Sequence, residues 1–145
     1  MMEPRTRAGS PAIPHQLRRA TQAFTSIWQR NVPDLTPPQY AVLYALSEHG
    51  EMDQSALGEL ASIDRSTLTP LLDRLEGRGL IAKTIDPGNR RRRLSALTEA
   101  GRQKFAETLD RTVAIQRWVD DTLGAEGAQQ LYVLLRSLGD AISSD

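Results

Sequence analysis

From Ser62 to Leu97 the chain reads SIDRSTLTPLLDRLEGRGLIAKTIDPGNRRRRLSAL, and within this run the hydrophobic period changes once, abruptly. Leu68, Leu71, Leu72 and Leu75 recur at i, i+3, i+4 and i+7, the spacing of one buried helix face. Asp64 suits the N-cap of that helix, and Gly77 and Gly79 mark its exit. Directly afterwards LIAKTI and RRLSAL alternate with period two, and the DPGN between them has the residues a tight turn demands. An amphipathic helix that passes at once into a hairpin leaves few folds open. It also puts four consecutive arginines, Arg90 to Arg93, at the hairpin tip.

The flanking segments are helical. Residues 1–12, with Pro4, Gly9, Ser10 and Pro11, show no apolar periodicity and read as a flexible tail. After Pro14 a helix is predicted, with Leu17, Ala20, Phe24, Ile27 and Trp28 on its apolar face and Asn31 to Pro33 at its end. Thr36-Pro37-Pro38 restarts a helix that runs to Gly50, with Thr36 as N-cap and proline in the first turn. A short third helix follows Asp53 as N-cap, its buried side Leu57, Leu60 and Ala61. Thr98 caps a long helix through Phe105, Leu109, Val113, Trp118, Val119 and Leu123, which Gly124 breaks. A last helix carries Leu131, Leu134, Leu135, Leu138 and Ile142.

Three short helices followed by a two-stranded hairpin make a winged helix-turn-helix, within a mainly α (α+β) chain. With the leucines of the 65–78 helix turned to the core, Ser66, Thr69, Pro70 and Asp73 centre the opposite face, flanked by Thr67 and Arg74. Hydroxyls serve phosphate oxygens or base edges, arginine serves phosphate or guanine, and a proline ring packs on a thymine methyl. Pro70 also removes the helix bond to the Ser66 carbonyl. Asp73 would repel DNA unless it lies beyond closest approach or is paired with an arginine. The wing carries Lys83 and Arg90 to Arg93 against Asp86 alone, a local cationic excess that suits the duplex backbone or the minor groove.

A charge run is most often a solvated face, and it is the element order together with the hairpin turn that favours DNA. The chain's 18 basic and 18 acidic residues exclude a polybasic, histone-like binder but leave room for such a patch. An enzyme is disfavoured. Cysteine is absent, so a thiol nucleophile, a thiolate zinc site and disulfides are excluded. His15 and His49 are the only imidazoles, lie in different helices, and have no His-x-x-x-His spacing, nucleophile elbow or P-loop beside them. No catalytic residue, metal or cofactor is expected. The start of the chain lacks the apolar core of a secretory signal and no run suits a membrane span, so a soluble, cytoplasmic protein is expected. A winged-helix protein-interaction module is the competing class, and it would favour an uncharged wing.

From LTPPQYAVLYAL through RSTLTPLLDRLEGRGLIAKTIDPGNRRRRLSALTEAGR, about residues 35 to 103, the chain resembles the MarR family of bacterial transcription regulators. The resemblance rests on the LTPPQ opening, STLT-x-LLDRLE-x-RGLI, a DP-x-x-RR wing and the LTEAGR start of the next helix. It implies a homodimeric repressor on a pseudo-palindromic operator, with residues 13–35 and 98–145 as dimerisation helices and residues 36–97 as the DNA-binding lobe of one structural domain. The leucine stripe of the last helix, with Tyr132 and Val133 beside it, gives an independent reason for a dimer. Ser66, Thr67, Thr69, Pro70 and Arg74 then address the major groove. The family's wing has aspartate two residues before its minor-groove arginine; here Asn89 replaces it, so Arg91 is expected to be held by a hydrogen bond rather than an ion pair. Arg90 and Arg92 are expected on phosphates, and Arg93 either there or packed along the strand.

The resemblance further implies a small aromatic carboxylate or phenolic effector, bound where the DNA-binding lobe meets the dimerisation helices. The residues expected there are His15, Arg18, Arg19, Trp28, Tyr40 and Tyr44. Arginine grips a carboxylate bidentately and aromatic rings sandwich another ring, which is the chemistry such a ligand needs. Each has a plainer reading, Trp28 as core, the arginines as solvated and His15 as exposed, and a ligand-independent regulator is the alternative.

Overall fold

The computed structural model describes residues 12–142. The tail expected over residues 1–12 therefore lies outside the described residues except for Ala12, which is already helical. In order the elements are α1 (Ala12–Asn31), α2 (Pro37–His49), β1 (Met52–Asp53), α3 (Gln54–Ala61), α4 (Arg65–Gly77), β2 (Ile81–Asp86), β3 (Asn89–Leu97) and α5 (Glu99–Ile142). α1 begins before Pro14 rather than after it. A first-turn N–H has no partner inside the helix, so proline costs nothing there.

The chain forms two compact units. The first, Val32–Arg111, holds α2 to β3 and the start of α5; the second holds α1 and α5 from Thr112 onward. In the first unit the caps follow the sequence closely. Thr36 accepts from the Gln39 N–H while the Gln39 side chain accepts from the Thr36 N–H, a reciprocal capping box over a helix that opens with Pro37 and Pro38. Asp53 caps α3 through the Ala56 N–H at 2.8 Å, and Asp64 caps α4 through the Thr67 N–H at 3.1 Å. Leu68, Leu71, Leu72 and Leu75 are all buried, with Val42, Leu43, Leu46, Leu57, Leu80 and Ile81 completing this core. Leu60 was expected among them but is half exposed. α3 is only eight residues long, and Leu57 takes its inward position, which leaves Leu60 at the rim.

β2 and β3 pair antiparallel from Ile81↔Leu97 to Ile85↔Arg93, with a register irregularity before Asp86↔Asn89 at the tip. The sheet has a third strand beyond the expected hairpin, because β1 pairs along the other edge of β3, Met52↔Ser95 and Asp53↔Leu94. Two residues are too few to show a period, and their ladder partner is remote in sequence, so only the fold reveals the pairing.

The LTEAGR segment locks the start of α5 onto the connection between α4 and β2. The Thr98 hydroxyl donates to the Gly79 carbonyl at 2.6 Å and accepts from the Gly101 N–H at 3.0 Å. A Cβ on Gly101 would stand 1.9 Å from the Leu80 carbonyl oxygen, so only glycine lets the backbones approach so closely. α5 carries the expected break at Gly124, whose φ of 76° and ψ of 167° are not helical. In the second unit Phe24 and Trp28 make a tilted ring pair 5.9 Å apart, and Trp28 is buried. Ile13, Leu17, Leu134, Leu135, Leu138 and Ile142 are all exposed.

Candidate nucleic-acid interface

α4 presents one face to the core and the other to solvent, and Ser66, Thr67, Thr69, Pro70, Asp73 and Arg74 are all exposed. The hydroxyls at its start are oriented by the cap. Ser66 and Thr67 both donate to the Asp64 carboxylate, Thr67 at 2.8 Å, while Thr69 donates back to the Arg65 carbonyl at 3.1 Å. The bonds from Ser66, then Thr67, hold the Asp64 carboxyl below the usual carboxylate range, so it stays an anion that fixes both donors. Each hydroxyl keeps lone pairs to accept from a base or a water. Asp73 is paired, but with Lys83 of β2 rather than with an arginine. That contact ties α4 to the wing and neutralises the carboxylate that would oppose DNA.

Arg65, the first residue of α4, is exposed and its side chain has no hydrogen bond or ion pair among the described residues, which also holds for Arg74. Leucine spacing alone does not single out Arg65; the sequence signal for it is its place directly after the capping Asp64.

The four wing arginines divide. Arg90, Arg91 and Arg93 have exposed side chains with no partner among the described residues. Asn89 does brace this segment, but its Oδ1 accepts from the main-chain N–H of Arg91 at 3.1 Å and not from the guanidinium. Arg93 lies opposite Ile85 in the ladder. Arg92 is held between two carboxylates, donating from Nε to Asp53 at 2.8 Å and from Nη1 to Asp86 at 3.2 Å.

The expected ligand residues fall in both units. His15, Arg18, Arg19 and Trp28 lie on α1, where Arg18 reaches the His15 ring at 3.5 Å and Arg19 donates to Gln16 at 3.0 Å. Tyr40 and Tyr44 lie on α2 in the first unit, and there they meet a residue not foreseen in this role, Phe105 of α5. Tyr40 stacks on Phe105 at 5.8 Å, Tyr44 meets it edge-on at 5.9 Å, and the two tyrosines are 6.3 Å apart. The i, i+4 spacing of the tyrosines was visible in the sequence; nothing local pointed to Phe105. In the same unit Asp34 receives Lys104 and, at 3.4 Å, Arg111, while its carbonyl accepts from Arg78 at 2.9 Å. The Lys104 bond chiefly lowers the Asp34 pKa.

A helix-turn-helix with a leucine-buried second helix, an arginine-bearing hairpin beside it and a third strand closing the sheet defines the winged-helix class of DNA-binding proteins. The MarR family pattern matches residues 35–92. The chain is 35% identical over 127 residues to the transcriptional regulator HosA of Escherichia coli O111:H-, covering 88% of this chain and 94% of that one. The chain belongs to the MarR family: it is a DNA-binding transcription regulator and not an enzyme. Two solved structures are close in fold. Bordetella bronchiseptica BpsR, whose DNA binding is described as regulated by 6-hydroxynicotinic acid, superposes with a TM-score of 0.84 at 32% identity, covering 88% of this chain and 93% of its own. The transcriptional repressor CouR, bound to a 23-mer DNA duplex, gives 0.81 at 27% identity, covering 86% and 90%. No helix among the described residues is long and apolar enough to cross a membrane.

Proposed function

We propose that this regulator is a homodimeric repressor that binds a pseudo-palindromic operator and is released by a small aromatic acid or phenol. The observation that carries the DNA contact is the set of uncompensated guanidinium groups on α4 and the wing, Arg65, Arg74, Arg90, Arg91 and Arg93, beside the capped hydroxyls of Ser66, Thr67 and Thr69. In this reading α4 lies in the major groove with Pro70 against a base edge, and Arg91, with Asn89 fixing its backbone, enters the minor groove. Repression is supported by likeness to CouR, a repressor held on duplex DNA.

Dimerisation is supported by the second unit, where Ile13, Leu17, Leu134, Leu135, Leu138 and Ile142 are exposed and would gain by being covered. A second copy of the same surface buries them isologously, and two-fold symmetry then matches a palindrome. The aromatic effector is supported by the likeness to BpsR and by the ring faces of Tyr40, Tyr44 and Phe105. Arg18 and Arg19, with His15 and Trp28 on the same helix, are the residues to substitute in seeking the group that holds a ligand carboxylate.

Fluorescence anisotropy against the DNA upstream of its own gene, with unrelated competitor and a panel of benzoates, hydroxycinnamates and hydroxynicotinates, tests the reading. Tight binding, one dimer per palindrome, with release by one acid is the expected result. Binding no tighter than to competitor overturns the assignment of that operator, and release by none of the acids overturns the effector class.

A further inference from the structure

Arg92 is set apart from its neighbours by geometry. Side chains alternate along β3, so Arg92 shares a face with Leu94, and Leu94 is the ladder partner of Asp53. Arg92 and Asp53 are thereby diagonal cross-strand neighbours, and they meet although they are 39 residues apart in sequence. Each carboxylate in the bridge does a second, local job. Asp53 caps α3 with Oδ1 and takes Arg92 on Oδ2. Asp86 closes the wing turn by accepting the Gly88 N–H on Oδ1 at 2.9 Å and takes Arg92 on Oδ2. The planar guanidinium thus connects the wing turn to the N-cap of α3. β1 itself contributes only two paired residues, a weak hold on so long a hairpin.

We infer that Arg92 is a positioning residue, which fixes the wing relative to α3 through Asp53 and Asp86, rather than a phosphate contact. The inference rests on the DNA-binding reading and refines it: the arginine run holds three groups that face DNA and one that aims them. An ammonium cannot replace it, because a point charge lacks the rigid fork that meets two carboxylates at once.

The test compares R92Q, R92K, D53N and R90Q in the full chain, each checked for native melting. The DNA probe is the duplex that the wild-type protein selects from a random-sequence library. R90Q, as a phosphate contact, is expected to lower the salt slope by roughly one. R92Q and R92K are both expected to weaken operator binding about tenfold with the slope unchanged, a factor well above that of a screened surface charge. D53N is expected to weaken binding as well, although it removes a negative charge near DNA and although asparagine still caps α3. Added to R92Q it should cost nothing further. In the DNA-free protein, backbone amide order parameters from Gly88 to Arg91 should fall in R92Q and D53N and stay unchanged in R90Q. A salt slope lowered by about one in R92Q and restored in R92K would overturn the inference, as would unaltered wing order parameters. A wild-type chain that selects no duplex would remove the DNA-binding reading instead, and the order parameters would still decide whether Arg92 holds the wing.

Discussion

Arg91 projects from β3 with its main-chain N–H tied to Asn89 and its guanidinium uncompensated among the described residues. Because no carboxylate holds it, its removal leaves no buried charge behind. Arg91→Ala should therefore lower operator affinity by about tenfold or more, as loss of a specific arginine contact does, while melting is unchanged. Unchanged affinity in anisotropy would remove Arg91 from the interface. Asp34 is the opposite kind of residue, since its ion pairs with Lys104 and Arg111 act within the lobe. Its folded pKa lies below the ordinary value, so the stability it contributes is present above the unfolded pKa and is lost as pH falls through the folded one. Asp34→Asn should thus lower the melting temperature at neutral pH by a few degrees, and the gap to wild type should close as pH drops through about 4 and below. A gap that persists in acid would mean that packing, not charge, is its source.

At the scale of elements, the contact of α5 with the connection between α4 and β2 is the tightest backbone approach among the described glycines. Gly101→Ala forces a methyl against the Leu80 carbonyl, and neither backbone can yield without moving the α4–β2 connection or the first turn of α5. The expected cost is about 3 kcal/mol or more, at the upper end of what overpacking does. Chemical denaturation measures it, and a loss within error would show that α5 can shift outward. The leucine face of α4 sets the companion expectation. Leu72 is fully buried, and Leu72→Ala should cost about 3 kcal/mol by lost burial plus cavity. Gly77→Ala, with open space around its Cβ position, is the control and should be close to neutral or stabilising.

For the whole molecule the surface that the proposed dimer rests on is the set of exposed apolar residues of the second unit. Leu134 and Leu138 lie one helical turn apart and are both exposed. Burying a leucine side chain stabilises by roughly 1.5–3 kcal/mol, so several such residues from each of two copies make an association of real strength. If the proposed homodimer forms through this face, Leu134→Glu with Leu138→Glu should leave a monomer in sedimentation and weaken binding to a palindrome far more than binding to a half-site. An intact dimer would place the association surface elsewhere.

Much of this was legible in the sequence because the signals were local. The helix face of Leu68, Leu71, Leu72 and Leu75, the caps at Thr36, Asp53, Asp64 and Thr98, and the DPGN turn each depend on residues within a few positions, whose torsions and hydrogen bonds the chain sets before any packing. From these the winged helix and the candidate α4 face followed. What the tertiary structure alone decided involves partners far apart along the chain. Folding showed that β1 pairs with β3, that Lys83 rather than an arginine neutralises Asp73, that Phe105 joins Tyr40 and Tyr44, and that Arg92 is held by Asp53 and Asp86. Four adjacent arginines are equivalent as letters. They differ only once strand pleat and register bring carboxylates to one of them and leave the others facing solvent.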